Sequence, residues 1–254
     1  MTVVGLLHPG EMGSALGAVA RANGHRVLWA SAGRSDATAA RARLAGLEDG
    51  GTAHDVAERS DVVFCVCPPH SAADVAASVG SFRGIYVDAN AIGPVTTKAI
   101  GARLARYVDG GIIGPPPRTR GTTRLYLSGP EAPAAAEVFA NADLEARVLS
   151  TTIGDASALK MVYAAWTKGT AALLLAIRDV ARALGVEAAL RDEWQLSLPD
   201  LPAQLERATT SANSKGWRWV AELEEIAATF ASTGNPNGFH GAAAEIFRRK
   251  RRSN

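Results

Sequence analysis

Two hydrophobic rhythms divide the chain. Through about residue 150, short apolar runs alternate with helical patterns. Val3–Leu7, His25–Ala30, Asp61–Cys67, Gly84–Asp88, Tyr107–Gly114, Thr123–Leu127 and Arg147–Ser150 predict strands. Between them the spacing predicts helices through Leu16, Val19 and Ala20, from Asp36 with Ser35 as its cap, over Thr52–Arg59 and Val95–Arg106, and near Glu131–Ala140. Asp61–Cys67 is apolar without alternation, as expected of a parallel strand buried on both faces, so the alternation predicts a doubly wound α/β sheet over residues 1–152. The period then changes. Leu159, Val162, Tyr163, Trp166, Leu173, Leu174, Ile177, Val180 and Leu184 recur at three-and-four spacing, which predicts one buried face on a helix of about eight turns from Gly154 to Leu184. After Gly185 no strand pattern recurs. Helices are expected over Glu187–Leu196, Leu201–Ala212, Lys215–Ser232 and Gly241–Arg251, so residues 153–254 form a long interdomain helix and a small all-α domain.

The first strand runs into His8-Pro9-Gly10-Glu11-Met12-Gly13 and a helix. In the dinucleotide fingerprint of a Rossmann-type domain the second glycine admits the pyrophosphate and the third lets helix and strand pack closely; Gly10 and Gly13 fill those places, while His8 stands at the first. Pro9 has no amide hydrogen to offer a phosphate. His8, Pro9, Gly10, Glu11 and Met12 are therefore candidate cofactor contacts. After the second strand an acidic residue would bind a ribose 2′-hydroxyl, but the chain runs Ser31-Ala32-Gly33-Arg34-Ser35. Two hydroxyls and a guanidinium suit a 2′-phosphate, so the expected cofactor is NADP(H), held there by Ser31, Arg34 and Ser35. Ser35 can cap the following helix as well. Cys67, Pro68 and Asn90 complete the expected cofactor contacts; Asn90 follows a strand's carboxyl end, where open α/β sheets bind ligands.

Composition narrows the partners. With 27 basic and 25 acidic residues the net charge is +2, too small for a global field that recruits nucleic acid or membrane. The cluster Arg248–Arg252 reads as the solvated end of a helix, its charges complementing the dipole. No apolar run reaches membrane-spanning length and no charged-then-apolar leader opens the chain, so a cytoplasmic location is expected. Cys65 and Cys67, two apart on a strand, are expected as small buried hydrophobes without a disulfide. The five histidines show no paired ligand spacing, and no metal is expected.

The order of features resembles the β-hydroxyacid dehydrogenase and 6-phosphogluconate dehydrogenase superfamily, which includes the imine reductases, over nearly the whole chain. Gly5–Gly13 resembles its opening glycine motif, Val87-Asp88-Ala89-Asn90-Ala91 its aspartate-x-serine-threonine strand end, and Gly154 six residues before Lys160 its interdomain-helix signature. Asp109–Pro117, Trp217–Ile226 and Gly238-Phe239-His240 are similar to a short subgroup with a compact C-terminal domain. Two departures stand out. Where the superfamily carries a substrate-binding serine and glycines, this chain has Ile113 and Gly114-Pro115. Where it carries an asparagine four residues past the lysine, this chain has Ala164, which implies a more apolar pocket than in the hydroxyacid enzymes.

By spacing alone Lys160 is either a solvated helix lysine or one held toward a cleft; the resemblance implies the catalytic acid/base. Hydride transfer needs a proton delivered to the acceptor, and desolvation suits a lysine to give and take one. Tyr163 and Thr167 share roughly its helical face and, with Asn90, are candidate substrate contacts, simple packing being the other reading for both. His240 and Trp217 are further candidates, reaching substrate across a dimer. The expected function is an NADPH-dependent oxidoreductase acting on a small carbonyl or hydroxy compound; a C=N acceptor and a cofactor-binding protein without turnover are the alternatives. A homodimer with a shared active site is expected, because about 70 residues of helix cannot cover their own apolar faces, which include Trp194, Trp217, Trp219, Phe230 and Phe239.

Overall fold

The computed structural model describes residues 1–252, with side chains through Arg249. It consists of two compact units, the first ending at Lys160 and the second beginning at Met161.

In the first unit β1 (Val3–Leu6), β2 (Arg26–Trp29), β3 (Glu48–Asp49), β4 (Val62–Cys65), β5 (Ile85–Asp88), β6 (Tyr107–Ile113), β7 (Arg124–Ser128) and β8 (Glu145–Ser150) form one sheet in the order β3-β2-β1-β4-β5-β6-β7-β8. All neighbours are parallel except β6 and β7. The expected doubly wound sheet is observed. Parallel pairing needs crossovers, supplied by α1 (Glu11–Ala22), α2 (Asp36–Leu44), α3 (Ala53–Glu58), α4 (Ala72–Ala77), α5 (Pro94–Gly101) and α6 (Ala132–Ala136). β4 is buried along its whole length because a core lies on each face: Leu16, Phe64 and Phe139 on one, Val56, Tyr86 and Tyr107 on the other. Thr52 and Asp55 close a reciprocal capping box at α3, and the expected Ser35 cap on α2 accepts from the Thr38 amide. β3 carries no apolar signal; its pairing of Leu28 with Glu48 and Trp29 with Asp49 makes it a strand.

α7 (Asp155–Ala183) begins in the first unit and continues into the second, followed by α8 (Glu187–Ser197), α9 (Leu201–Ser232) and α10 (Gly238–Arg252). Two sequence expectations are corrected here. The stripe expected to be buried on α7 is largely exposed at Val162, Tyr163, Trp166, Leu173, Ile177, Val180 and Leu184, and the buried face is Met161, Ala164, Ala165, Ala171, Ala172, Leu174 and Leu175. Alanines let neighbouring helices approach closely, so the smaller side chains mark the packed side. The second correction is that the helices expected over Leu201–Ala212 and Lys215–Ser232 are one. The polar run between them is helical throughout, and the Ser214 hydroxyl bonds back to the Thr210 carbonyl at 3.0 Å instead of capping a new start. At Gly216, inside this helix, a Cβ would lie 3.1 Å from the Phe247 ring, so the glycine admits α10. In the same unit Lys168 and Glu222, both nearly buried, form an ion pair at 2.8 Å.

Candidate functional site

In the glycine loop the packing role expected of Gly13 is observed. A Cβ on Gly13 would stand 2.1 Å from the His8 carbonyl oxygen, so this glycine is what lets α1 pack on the end of β1. A Cβ on Gly10 would meet nothing within 4 Å, and Gly10 is the N-cap of α1 with no side chain capping the helix. The first-turn amides therefore lack the side-chain acceptor that usually satisfies them, which fits an incoming phosphate. Glu11 is exposed beside them, Met12 packs partly on the core, and the buried Pro9 offers its carbonyl to Arg41 at 3.4 Å. His8 is half-buried. Burial, with the Arg34 guanidinium second, lowers its pKa to about 4, so its neutral ring accepts from Arg34 at Nδ1 (3.2 Å). Nε2 must then carry the proton, and it is buried without a partner, an orphan donor beside the open loop.

The three residues expected to recognise a 2′-phosphate differ in their present engagements. The Ser31 hydroxyl donates to Asp49 at 2.5 Å, and Asp49 also accepts from the Gly51 amide; these bonds hold its carboxyl below the usual range. Ser35 is occupied as the cap of α2. Arg34 holds His8 and keeps a buried Nε without a partner.

At the carboxyl edge of β4 and β5, Asn90 is buried and ties the two strand ends together: its Oδ1 accepts from the Cys67 amide at 2.5 Å and its Nδ2 approaches the Cys65 thiol at 3.3 Å. The Cys65 and Cys67 sulfurs lie 3.7 Å apart, unbonded, and the contact with Cys65, then burial, pushes the Cys67 thiol well up. Pro68, half-buried, caps the short 3-10 turn that follows. Asp88, whose Oδ1 accepts from the Asn90 amide, is raised to about 7 by burial.

Lys160 comes to this edge from α7. A Cβ on Gly111 would lie 3.1 Å from the Lys160 Cβ and 2.7 Å from the Ala156 carbonyl oxygen, so α7 rests on bare β6 backbone. β6 pairs with β5 at Asp88 and Asp109, which places Gly111 level with Asn90. The structure thus brings together the glycine loop, Cys67, Asn90 and Lys160 on one edge of the sheet. Tyr163 and Thr167 lie further along α7 in the second unit, both exposed. In that unit Trp217 is exposed beneath the Arg218 guanidinium, whereas His240 is buried between Phe230 and Phe239 at ring distances of 4.5 and 5.1 Å, and burial lowers its pKa. A 570 Å³ groove along the outer side of α1, lined by Ala15, Ala18, Arg41 and Arg118 among others, includes none of the candidate residues.

From the sequence no individual role is given to Asp88 and Asp109, which appear only within family motifs, or to Ser128 and Ser157. The available signal was a carboxylate inside an otherwise apolar strand run, Tyr107-Val108-Asp109, which demands buried partners. Among the described residues no cluster of three His, Cys, Asp or Glu side chains is placed to hold a metal, and no helix is long and apolar enough to cross a membrane. Arg248 of the basic cluster is paired with Glu224 and Glu245 rather than only solvated; the side chains after Arg249 lie outside the described residues.

Residues 3–91 match the family model described as NADP oxidoreductase coenzyme F420-dependent, and residues 181–250 match a domain of unknown function, DUF1932. An uncharacterized 28.5 kDa protein from the 7S RNA 5′ region of Methanothermus fervidus is 33% identical over 157 residues; the match spans 61% of this chain and 61% of that relative. The solved conserved protein MTH1747, of unknown function and described as structurally similar to 3-hydroxyacid dehydrogenases, is 28% identical with a TM-score of 0.73, covering 99% of this chain and 97% of that one. A 3-hydroxyisobutyrate dehydrogenase from Salmonella typhimurium shares the fold at 15% identity and a TM-score of 0.73, covering 98% and 94%. A reductive aminase from Aspergillus terreus, solved with NADPH4, cyclohexanone and allyl amine, shares it at 18% identity and a TM-score of 0.61, covering 99% and 94%. Imine reductases share it too. The fold is therefore that of the 3-hydroxyacid dehydrogenases and imine reductases, as the sequence resemblance implied.

Proposed function

We propose that the protein is an NADP(H)-dependent oxidoreductase in which Lys160 delivers the proton that accompanies hydride transfer to a small carbonyl compound. The observation that carries this reading is the placement of Lys160 over Gly111, level with the Asn90 strand end, in the same unit as an open glycine loop. The loop fits a pyrophosphate on three counts: the space at Gly10, the uncapped start of α1, and the orphan Nε2–H of His8. The nicotinamide supplies the hydride. Glu11 and Met12 follow Gly10 on the first turn of α1, Pro9 fixes the loop, and Cys67 and Pro68, braced by Asn90, form the wall beside it. Lys160 holds or gives the proton at Nζ. Tyr163 and Thr167, on the same helix, orient substrate, with the aromatic and the alanine at 164 favouring an apolar acceptor. Residues 1–152 are the cofactor domain in this reading and residues 153–254 the substrate and dimerisation part. Trp217, which is exposed, is assigned to the partner's site across a homodimer; His240, enclosed between Phe230 and Phe239, is instead given a packing role, which corrects the expectation that it reaches substrate. A C=N acceptor uses the same residues, and a panel of ketones and cyclic imines distinguishes the two.

The preference for NADPH rests on Arg34, since Ser31 and Ser35 already have partners. One charge-assisted hydrogen bond contributes about 1.5–3 kcal/mol, or roughly ten- to a hundredfold in affinity. Arg34→Ala is therefore expected to weaken NADPH by about tenfold or more in a fluorescence titration while changing NADH little. Equal wild-type affinity for the two cofactors contradicts the assignment.

A further inference from the structure

We infer that Asp109 is the positioning residue of Lys160, fixing the start of α7 on the sheet so that the lysine stands over Gly111; this rests on the reading of Lys160 as proton donor. Asp109 is fully buried and accepts five hydrogen bonds. Oδ1 receives the Ser157 hydroxyl at 2.5 Å and the Thr97 hydroxyl at 3.2 Å. Oδ2 receives the Ser128 hydroxyl at 3.0 Å, the Gly154 amide at 3.0 Å and the Ser157 amide at 2.9 Å. Ser128, which pairs with Asp109 across β6 and β7, accepts in turn from the Ala156 amide at 3.0 Å.

Three of the amides at the start of α7 thus bond to side chains of β6 and β7. A helix is ordinarily capped by the residue that precedes it, and such a cap leaves the helix free to shift as a body. Here the acceptors lie 28, 45 and 48 residues earlier in the chain, on two neighbouring strands of the sheet. The negative end of this clamp also complements the positive end of the helix dipole.

The two periodicities make the clamp specific for Lys160. Asp109 and Gly111, two apart on a strand, project to the same side of the sheet. Ser157 and Lys160, three apart on a helix, lie on the same face. Asp109 therefore engages Ser157 while Gly111, by lacking a Cβ, receives Lys160 one step along both elements. Ala156 and Lys160 leave no room for a side chain at Gly111, so the helix cannot be displaced toward the strand; the carboxylate prevents displacement away from it.

The test uses the full-length protein, Asp109→Asn, the milder Ser157→Ala, and each in a Lys160→Met background. The amide NH2 of the asparagine opposes donors, so Asp109→Asn should lower kcat by about ten- to a hundredfold, the scale of a small misplacement, with the NADPH Kd within about twofold of wild type. Ser157→Ala should lower it by several-fold, and carries the test if the asparagine variant does not fold. Both should move the pH limb of kcat, and both should change the pH profile with which acetic anhydride acetylates Lys160, read by mass spectrometry against the exposed Lys215 of α9. In the Lys160→Met background neither is expected to lower turnover further. Wild-type kcat, pH limb and acetylation profile in both variants overturn the proposal, as does an equal loss in both backgrounds. Unchanged turnover in Lys160→Met alone overturns the donor role instead, and the acetylation profile still decides the positioning.

Discussion

Tyr86 and Trp166 are both large aromatic side chains on regular elements, and the two halves of the chain treat them oppositely. Tyr86 is wholly buried in the sheet and stacks on Tyr107 at 6.1 Å, whereas Trp166 on α7 is 74% exposed, with Val162, Tyr163, Val180 and Leu184 exposed on the same helix. The first unit encloses most of its aromatic residues and the apolar residues of its central strands between two helical layers, leaves a few such as Leu44 and Val95 outward, and places its buried Asp109 under several hydrogen bonds. The second unit packs α9 and α10 through Trp219 and Phe247 and leaves large apolar side chains outward. A sheet unit packed in this way has its own core; a helical unit with so much apolar surface outward is incomplete by itself, in keeping with the proposed dimer.

The largest expected effect tests what the two units share, the helix that begins in one and continues in the other. Lys160→Met should reduce turnover by roughly a hundredfold or more, the scale of a general acid, with NADPH binding nearly intact. Turnover equal to wild type removes the lysine from the mechanism. The second sharpens the contrast directly. Sedimentation at micromolar concentration should give twice the 26.4 kDa chain mass, with an interface above about 2,000 Å², and Trp166→Glu should give the single-chain mass. A wild-type monomer contradicts the reading of the exposed face.

A smaller effect probes the interior of the sheet unit. Burial raises Asp88 from 3.8 to about 7, so between those values the folded state binds more protons than the unfolded one. Its favourable contribution is complete below 3.8 and is lost as pH rises through about 7. Asp88→Asn keeps an uncharged acceptor for the Asn90 amide, and should therefore raise Tm relative to wild type by several degrees at pH 8 and by little at pH 4. The same difference at both pH values contradicts a buried, neutralised carboxyl.

What was legible in the sequence follows the same division. The strands of the first unit announced themselves because residues such as Val62–Cys65 are apolar on both faces, and the packing role of Gly13 followed from spacing. In the helices the larger side chains misled: Trp166 and Val180 suggested the buried face of α7, which the alanines in fact form. The gap expected between Ala212 and Lys215 is helix: Ser214 bonds back within α9, and Gly216 receives Phe247. The Asp109 clamp was hidden for a different reason. Its partners, Thr97, Ser128 and Ser157, are ordinary polar residues scattered along the chain; the β6-β7 register sets Ser128 opposite Asp109, and the packing of α5 and α7 on the sheet brings the other two to the same carboxylate.

The central claim, that the open glycine loop holds a nicotinamide dinucleotide, is tested most directly at Gly10. The backbone there is extended, and a Cβ meets no protein atom within 4 Å, so Gly10→Val fills only the space assigned to the pyrophosphate. Titration of wild type and variant with NADPH, followed by nicotinamide fluorescence, should show saturable micromolar binding by the first and a loss of about a hundredfold in the second, with Tm little changed. Absence of saturable binding by the wild type, or equal binding by the variant, contradicts the claim.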